Sequence, residues 1–278
     1  MKEPGLNFAI GLVVISLILL SYSIINAQPP YRVNERQGSN ASIEFLLPDF
    51  DNDIGYSGWV IFVKSEVKIN KGNYFIFDVP IGHGERAVSF WGDESETAIG
   101  NPYAGFRLGS NKLPLTFDIG IRVPLSSENN SLARLAGGFS DIYRLDAFIL
   151  DYFTFQSMVN YRSNRINDLN GEISLGPRIW LYTGDSEYAD DTEFFFAYNI
   201  KTFYSWSNFD AGVGISGLLC LTEDEFLGED SMVNTLKFES SFATGNARPG
   251  IEISLPVDDD LDEVMDMVIG LNLKYFLD

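Results

Sequence analysis

A strict alternation of apolar and polar residues, repeated along seven stretches after residue 100, constrains the fold more than any other feature. The clearest stretch runs from Leu115 to Val123 and places Thr, Asp, Gly and Arg between apolar residues. Side chains of a strand alternate between its two faces. A wholly apolar face opposite a charged one predicts a transmembrane β-barrel, with lipid outside and water inside. A soluble sandwich is the alternative, but its strands bury their apolar faces against a second sheet.

The first 27 residues have the features of a targeting segment. An apolar run from Phe8 to Leu20 is followed by small residues up to Ala27. This order predicts a secretory signal peptide that is cleaved after Ala27. The alternative is an uncleaved anchor helix, because residues 8–25 are long enough to span a bilayer. We expect residues 28–40 to form a short periplasmic segment and residues 41–278 to form the barrel.

The pattern predicts an all-β chain folded as an up-and-down antiparallel barrel of about twelve strands. The expected strand cores are 41–48, 58–69, 74–81, 102–108, 114–124, 152–162, 171–182, 193–205, 208–221, 232–242, 249–255 and 267–277. Pro177 falls inside one of these strands, and we expect a β-bulge there to accommodate it.

Long and short connections alternate, and their charges differ. The six long loops hold well over half of the 39 acidic residues and only three bases, Arg86, Arg134 and Arg144. Barrels of this kind place short turns in the periplasm and long loops outside. We therefore expect both termini to be periplasmic and the acidic loops to lie outside, near lipopolysaccharide. The net charge of −20 argues against nucleic acid as a partner.

Inward positions carry bases and acids in nearly equal number, and charges of both signs on an enclosed surface usually pair. This predicts a mixed-charge lumen rather than a wide channel selective for one sign. The pore-lining candidates are Arg107, Asp118, Arg122, Glu172, Arg178, Lys201 and Asp210.

The longest loop, residues 125–151, is the only one with an apolar helical rhythm. Its apolar residues recur at helical spacing from Leu132 to Phe139, and Gly137-Gly138 is expected to limit the helix. We expect this segment to fold over or into the barrel mouth and to narrow it, with Arg134, Phe139 and Arg144 forming the constriction. The alternative is a loop that lies on the rim.

Other motifs are weaker. His83, the only histidine, could form a catalytic arrangement with Ser89 and either Asp93 or Glu85, although a solvated loop histidine is the plainer interpretation. The Gly-rich run at residues 212–217 lies inside a strand pattern, which excludes a dinucleotide fingerprint. The acidic runs at residues 223–225 and 258–263 lack EF-hand spacing and indicate solvated loops, with weak binding of divalent ions shared with lipopolysaccharide phosphates as the alternative. We predict no metal and no cofactor.

The last strand, residues 269–278, has apolar residues at every second position up to Leu277. It resembles the C-terminal signal of Gram-negative outer-membrane proteins, which implies recognition by the barrel-assembly machinery. An extra Asp278 follows, and Leu277 occupies the position that an aromatic residue often holds. Residues 99–109 resemble an early-strand motif of transporter barrels from aromatic-degradation gene clusters, which are loosely similar to fatty-acid transporters. No binding residue is carried over from that family.

These observations predict a protein of the Gram-negative outer membrane that forms a narrow pore or transporter for a small solute. Two alternatives stay open. One is a structural or surface-display barrel with a sealed lumen, which dense ion pairing favours. The other is a lipid-modifying enzyme at the rim that uses His83.

Overall fold

A computed structural model describes residues 38–51, 55–86, 94–109, 114–163, 168–184, 192–222 and 231–277. The predicted signal peptide lies outside these residues, as do most of the predicted periplasmic segment, Ser89, Asp93 and the acidic run 223–225.

The chain forms β-strands joined by tight turns and loops, with helices in two of the loops. The strands are β1 (Ser39–Phe50), β2 (Tyr56–Asn70), β3 (Asn73–Arg86), β4 (Glu94–Ile99), β5 (Tyr103–Gly109), β6 (Leu115–Arg122), β7 (Tyr152–Arg162), β8 (Leu169–Tyr182), β9 (Thr192–Trp206), β10 (Phe209–Cys220), β11 (Met232–Phe242), β12 (Ala247–Pro256) and β13 (Met265–Leu277). The helices are α1 (Ser131–Ser140), a 3₁₀ helix (Ile142–Ala147) and α2 (Asp259–Asp262). In the part of the chain that the structure describes, no helix is both long and apolar enough to cross a bilayer.

Each strand pairs antiparallel with its neighbours, and the sheet closes on itself because β1 pairs with both β2 and β13. β4 and β5 pair with successive parts of β3 and together form one interrupted strand. The 13 segments therefore make a closed antiparallel barrel of twelve strands, and this confirms the predicted fold class. Residues 39 and 277 are paired, so both described ends lie with the short turns at one end of the barrel, here named the turn end. The opposite end is named the loop end.

β4 was expected to be part of a long loop, and that expectation was wrong. The residues from Glu94 to Ala98 are mostly polar, so they lack the apolar face by which the other strands were identified. β4 extends the wall beyond the region where strands alternate and pairs only with β3, because β6 ends at Arg122 alongside β5. Polar side chains suit a strand that projects from the lipid.

The outer surface is apolar along nearly every strand. On β8, for example, Leu175 and Leu181 are exposed whereas Arg178 and Trp180 between them are buried. An apolar surface that runs around a whole molecule is far larger than the patches of soluble monomers, and lipid is its natural solvent. Exposed Trp206 and Tyr204 lie on this surface at the turn end, where barrels carry aromatic residues at the membrane interface.

The bulge expected at Pro177 is absent. The pairs on either side of Pro177, Gln156 with Arg178 and Val159 with Leu175, keep one register. The ladder between β7 and β8 is interrupted between these pairs, where a Cβ atom on Gly176 would collide with the carbonyl oxygen of Ser157. A local loss of pairing therefore accommodates the missing N–H without an inserted residue.

Candidate functional site

Residues 125–151, here named the plug segment, leave the wall after β6 and fold into the lumen. Helix α1 lies against β2, β3 and β4, and the 3₁₀ helix follows it among the inward faces of β9, β10 and β11. The helix expected from the apolar rhythm is present, but it continues through Gly137 and Gly138. The Phe148 ring can lie directly over Gly137 because glycine has no side chain. An added Cβ atom would lie 2.2 Å from the ring.

Asn101 fixes both ends of the plug segment at the interruption between β4 and β5. Its amide Oδ1 accepts hydrogen bonds from the backbone N–H groups of Leu125 and Ser126. Its Nδ2 donates to the carbonyl oxygens of Asp146 and Ile149. A single fully buried side chain thus joins the start of the segment to its end.

Ion pairs hold the middle of the plug segment to β1 and β11, which are separated in the wall by β13 and β12. Arg144 donates to Glu44 on β1 at 2.6 Å, and Lys237 on β11 contacts Asp141 at 3.3 Å. Arg144 also contacts Asp141 at 2.6 Å, while Lys237 contacts Glu252 on β12 at 3.2 Å. Burial favours a raised pKa for Asp141, but the neighbouring Lys237 and Arg144 outweigh it and hold that pKa well below its usual range.

A second set of charges centres on Asp146, which is also buried. Arg122 on β6 contacts Asp146 at 3.3 Å and donates to Asp78 on β3 at 2.9 Å. Arg178 on β8 contacts Asp146 at 3.4 Å and donates to the carbonyl oxygen of Tyr143. Charged contacts therefore join the plug segment to strands around the whole lumen.

The loop-end half of the lumen also contains two apolar clusters, which the sequence analysis did not predict. One cluster joins Trp180, Phe195 and Leu218 on the wall to Ile142 and Ile149 on the plug segment. A second cluster, on the opposite wall, packs Phe148 of the plug segment against wall residues, which include Leu46, Val60 and Phe62. Apolar contacts and ion pairs together close the loop-end half of the lumen.

The constriction candidates lie in or beside this closure. Arg144 lies over the Phe62 ring, and Phe139 packs edge-on against Phe50 on β1. Arg134 donates from Nε to the carbonyl oxygen of Phe148 at 3.3 Å. Phe50 and Phe139, together with Leu132, also line an apolar pocket of about 240 Å³ at the loop-end mouth.

All seven pore-lining candidates belong to the inward rows of their strands, and each has an ionic partner. Arg107 makes a two-pronged contact with Asp118, at 2.8 Å for each hydrogen bond. Arg122 and Arg178 contact the plug segment, as described above. The other three pair along the wall: Glu172 with Arg162, Lys201 with Glu239, and Asp210 with Arg248. The structure brings Arg122 and Arg178 together at Asp146, and a role of any of the seven in permeation stays a prediction.

A polar cavity of about 540 Å³, here named the cup, occupies the turn-end half of the lumen. Its charged lining comprises Lys64, Glu66, Arg107, Arg162, Glu172 and Lys274. The lumen is thus divided along its axis into a plugged half and an open half.

His83 lies on the outer face of β3 near the loop end. Its ring stacks on Trp59, with Nδ1 at 2.7 Å from the Thr97 hydroxyl and Nε2 at 2.9 Å from a Glu85 carboxylate oxygen. Of the partners expected from the sequence, Glu85 is in place. Thr97, on β4, was not expected.

Asn101, Asp141 and Asp146 are the residues of the closure that the sequence analysis missed. All three are polar residues in stretches interpreted as loops, where exposure is the ordinary expectation. The available signal was the position of both aspartates beside apolar residues of the one loop with a helical rhythm.

The comparisons with known proteins support the fold. No family model matches the chain, and no curated protein matches its sequence. An outer-membrane channel from Pseudomonas putida superimposes with a TM-score of 0.59 at 8% identity, covering 91% of this chain and 98% of that chain. The translocator domain of the autotransporter NalP from Neisseria meningitidis gives a TM-score of 0.55 at 7% identity, covering 98% and 99%. The KdgM porin gives a TM-score of 0.46 at 11% identity, covering 85% and 99%. The first two superpositions show that the chain has the fold of outer-membrane β-barrel proteins.

Proposed function

We propose that this protein is an outer-membrane pore for a small solute, closed at rest by the plug segment. Solute passage then requires the plug segment to move away from β1, β8 and β11, while Asn101 retains its two ends. The observation that carries the proposal is the fastening of a single loop across the lumen by Arg144, Asp141 and Asp146.

The ion pairs that hold the plug segment favour a movable plug over a permanent core. Buried ion pairs stabilise a fold little better than apolar residues of the same size, because desolvation offsets most of their attraction. They are better suited to a segment with two alternative positions. The cup adds to this argument, since a barrel that served only as a scaffold has no need of a solvated cavity beneath a plug.

The orientation follows the charge of the connections. We propose that the turn end, with both termini, faces the periplasm and that the acidic loops face outward beside lipopolysaccharide. The C-terminal strand β13 would serve as the signal for the barrel-assembly machinery.

Deletion of residues 128–145 tests the proposal in planar bilayers. The refolded full-length protein should be closed for most of the recording, whereas the deletion variant should conduct steadily. Heat-modifiable migration in electrophoresis would show that the shortened barrel has folded. A correctly folded deletion variant with no added conductance would leave a sealed structural barrel as the better account.

The contacts of His83 favour a second candidate function, hydrolysis of lipid esters at the rim. A hydroxyl, an imidazole and a carboxylate in sequence are the groups that activate a nucleophile for acyl transfer. Thr97 Oγ1 would attack the ester carbonyl and pass its proton to His83, which returns a proton to the departing alcohol. Water would then release the fatty acid.

The backbone N–H of Thr97 would serve as the oxyanion donor in this reaction. Gly100 donates its N–H to Pro80 across the β3–β4 ladder. Since backbone groups alternate along an antiparallel strand, the N–H of Thr97 points away from β3.

Fatty-acid release from phospholipid in mixed micelles tests this candidate. Thr97→Val and His83→Ala should each abolish release, whereas Ser95→Ala, which removes a neighbouring hydroxyl on β4, should not. No release by the unmodified protein, or release that survives His83→Ala, would reject the site.

A further inference from the structure

We propose that the cup binds a small solute through a carboxylate or phosphate group. The proposal rests on the proposed pore and names the class of solute that it would carry. It also departs from the nearly neutral lumen expected from the sequence, because the charges of the cup are sorted by depth.

The bases are exposed to the cavity, and two of the three acids paired with them are buried behind it. The side chains of Lys64, Arg107 and Arg162 are 38%, 26% and 44% exposed. Those of Glu66 and Asp118 are 10% and 12% exposed, whereas Glu172, the partner of Arg162, is 34% exposed. A solute in the cup therefore meets cationic groups, while most of the compensating negative charge is covered by the wall.

Glu66 shows how this sorting arises. Its Oε1 atom is 3.1 Å from Lys64 Nζ and 3.2 Å from Arg107 Nη1, and Asn40 donates to its Oε2 atom at 3.0 Å. One carboxylate is thus shared by two bases. Arg107 also binds Asp118, so its guanidinium is fixed in position on the wall of the cup.

Neutral donors complete the lining. The Nδ2 atom of Asn160 is buried and has no hydrogen-bond partner among the described residues. Tyr74 and Thr116 add hydroxyl groups, and Lys274 enters from β13, so that cations reach the cup from several sides of the barrel. A buried unpaired donor beside a group of bases suits an oxyanion, which offers only acceptors. The volume of about 540 Å³ accommodates a small organic anion.

Calorimetric titration of the refolded full-length protein with inorganic phosphate, and separately with succinate, tests this assignment at low salt. We expect at least one of them to bind, and the stronger one identifies the preferred group. The double variant Lys64→Gln/Lys274→Gln should weaken binding roughly tenfold or more, since charge-assisted hydrogen bonds are lost. Lys71→Gln removes the same charge from the β2–β3 turn outside the cup and should change the affinity less than about twofold.

The outcomes separate this proposal from the pore. No binding of either anion, or equal weakening by the double variant and by Lys71→Gln, would overturn the anion site. Binding that follows the pattern above in a protein that never conducts would keep the site and reject the pore. In the variant that lacks residues 128–145, a salt gradient should reveal preference for anions, and the Lys64→Gln/Lys274→Gln changes should reduce it.

Discussion

At the scale of single residues, Asp141 links the plug segment to the wall of the barrel. It is the acid shared by Arg144 on the plug segment and Lys237 on the wall. Without it, two buried bases would retain only Glu44 and Glu252. Both bases are buried in the folded barrel, so water cannot take the place of the lost carboxylate.

Asp141→Asn should therefore destabilise the closed barrel by about 3–5 kcal/mol, the range for breaking a buried ion pair. The measurement is urea unfolding in detergent, followed by electrophoretic mobility. Asp49→Asn, at an exposed position on β1, is the matched control and should change stability by less than about 0.5 kcal/mol. Equal effects of the two substitutions would show that Asp141 does not anchor the segment.

The stability that Asp141 contributes should depend on pH in a defined direction. Because Lys237 and Arg144 hold its pKa well below the usual range, the contribution is complete above the unfolded pKa of about 3.9 and is lost as the pH falls below it. The stability difference between the unmodified protein and Asp141→Asn should be constant from pH 8 to pH 5. It should shrink only below about pH 4. A difference that disappears near pH 6 would contradict the assigned ion pairs.

At the scale of the element, helix α1 carries two adjacent glycines with unequal surroundings. Gly137 lies under the Phe148 ring, whereas the nearest side-chain atom to a Cβ at Gly138 would be Leu145 Cδ1 at 3.2 Å. Alanine normally favours a helix over glycine by about 1 kcal/mol. The ring should reverse that preference at Gly137 alone.

Gly137→Ala should thus loosen the plug segment, and Gly138→Ala should leave it unchanged or more stable by up to about 1 kcal/mol. Tryptic cleavage after Arg144 measures the effect, because the side chain of Arg144 is largely buried and its cleavage needs the segment to leave the lumen. Equal protection of both variants would mean that Phe148 does not hold the helix.

Most strands could be predicted from the sequence, because the alternation of apolar and polar residues shows which face of each strand meets lipid. β6 and β8 follow the expected boundaries closely. β4 was missed because a strand beyond the membrane needs no apolar face. The partners of Asp141 and Asp146 were also missed, because pairing between distant charges leaves no period in the sequence. Their positions depend on where the plug segment turns back at Asn101, which only the folded chain specifies.

At the scale of the whole molecule, the barrel is divided along its axis. Apolar packing and shared charges close the loop-end half, and the cup leaves the turn-end half open to a cationic surface. Such a division is what a gated pore requires, with a movable barrier above a region that can hold a solute. The inward apolar residues Trp180 and Phe195 were not expected. The alternating pattern is the same whether a lumen is filled with protein or with water.

Single-channel recording of the full-length protein, Asp141→Asn and the variant lacking residues 128–145, side by side in one bilayer composition, tests the central claim most directly. The account predicts an open fraction that rises in that order, with the largest current when the plug segment is absent. Identical traces from three folded proteins would contradict it.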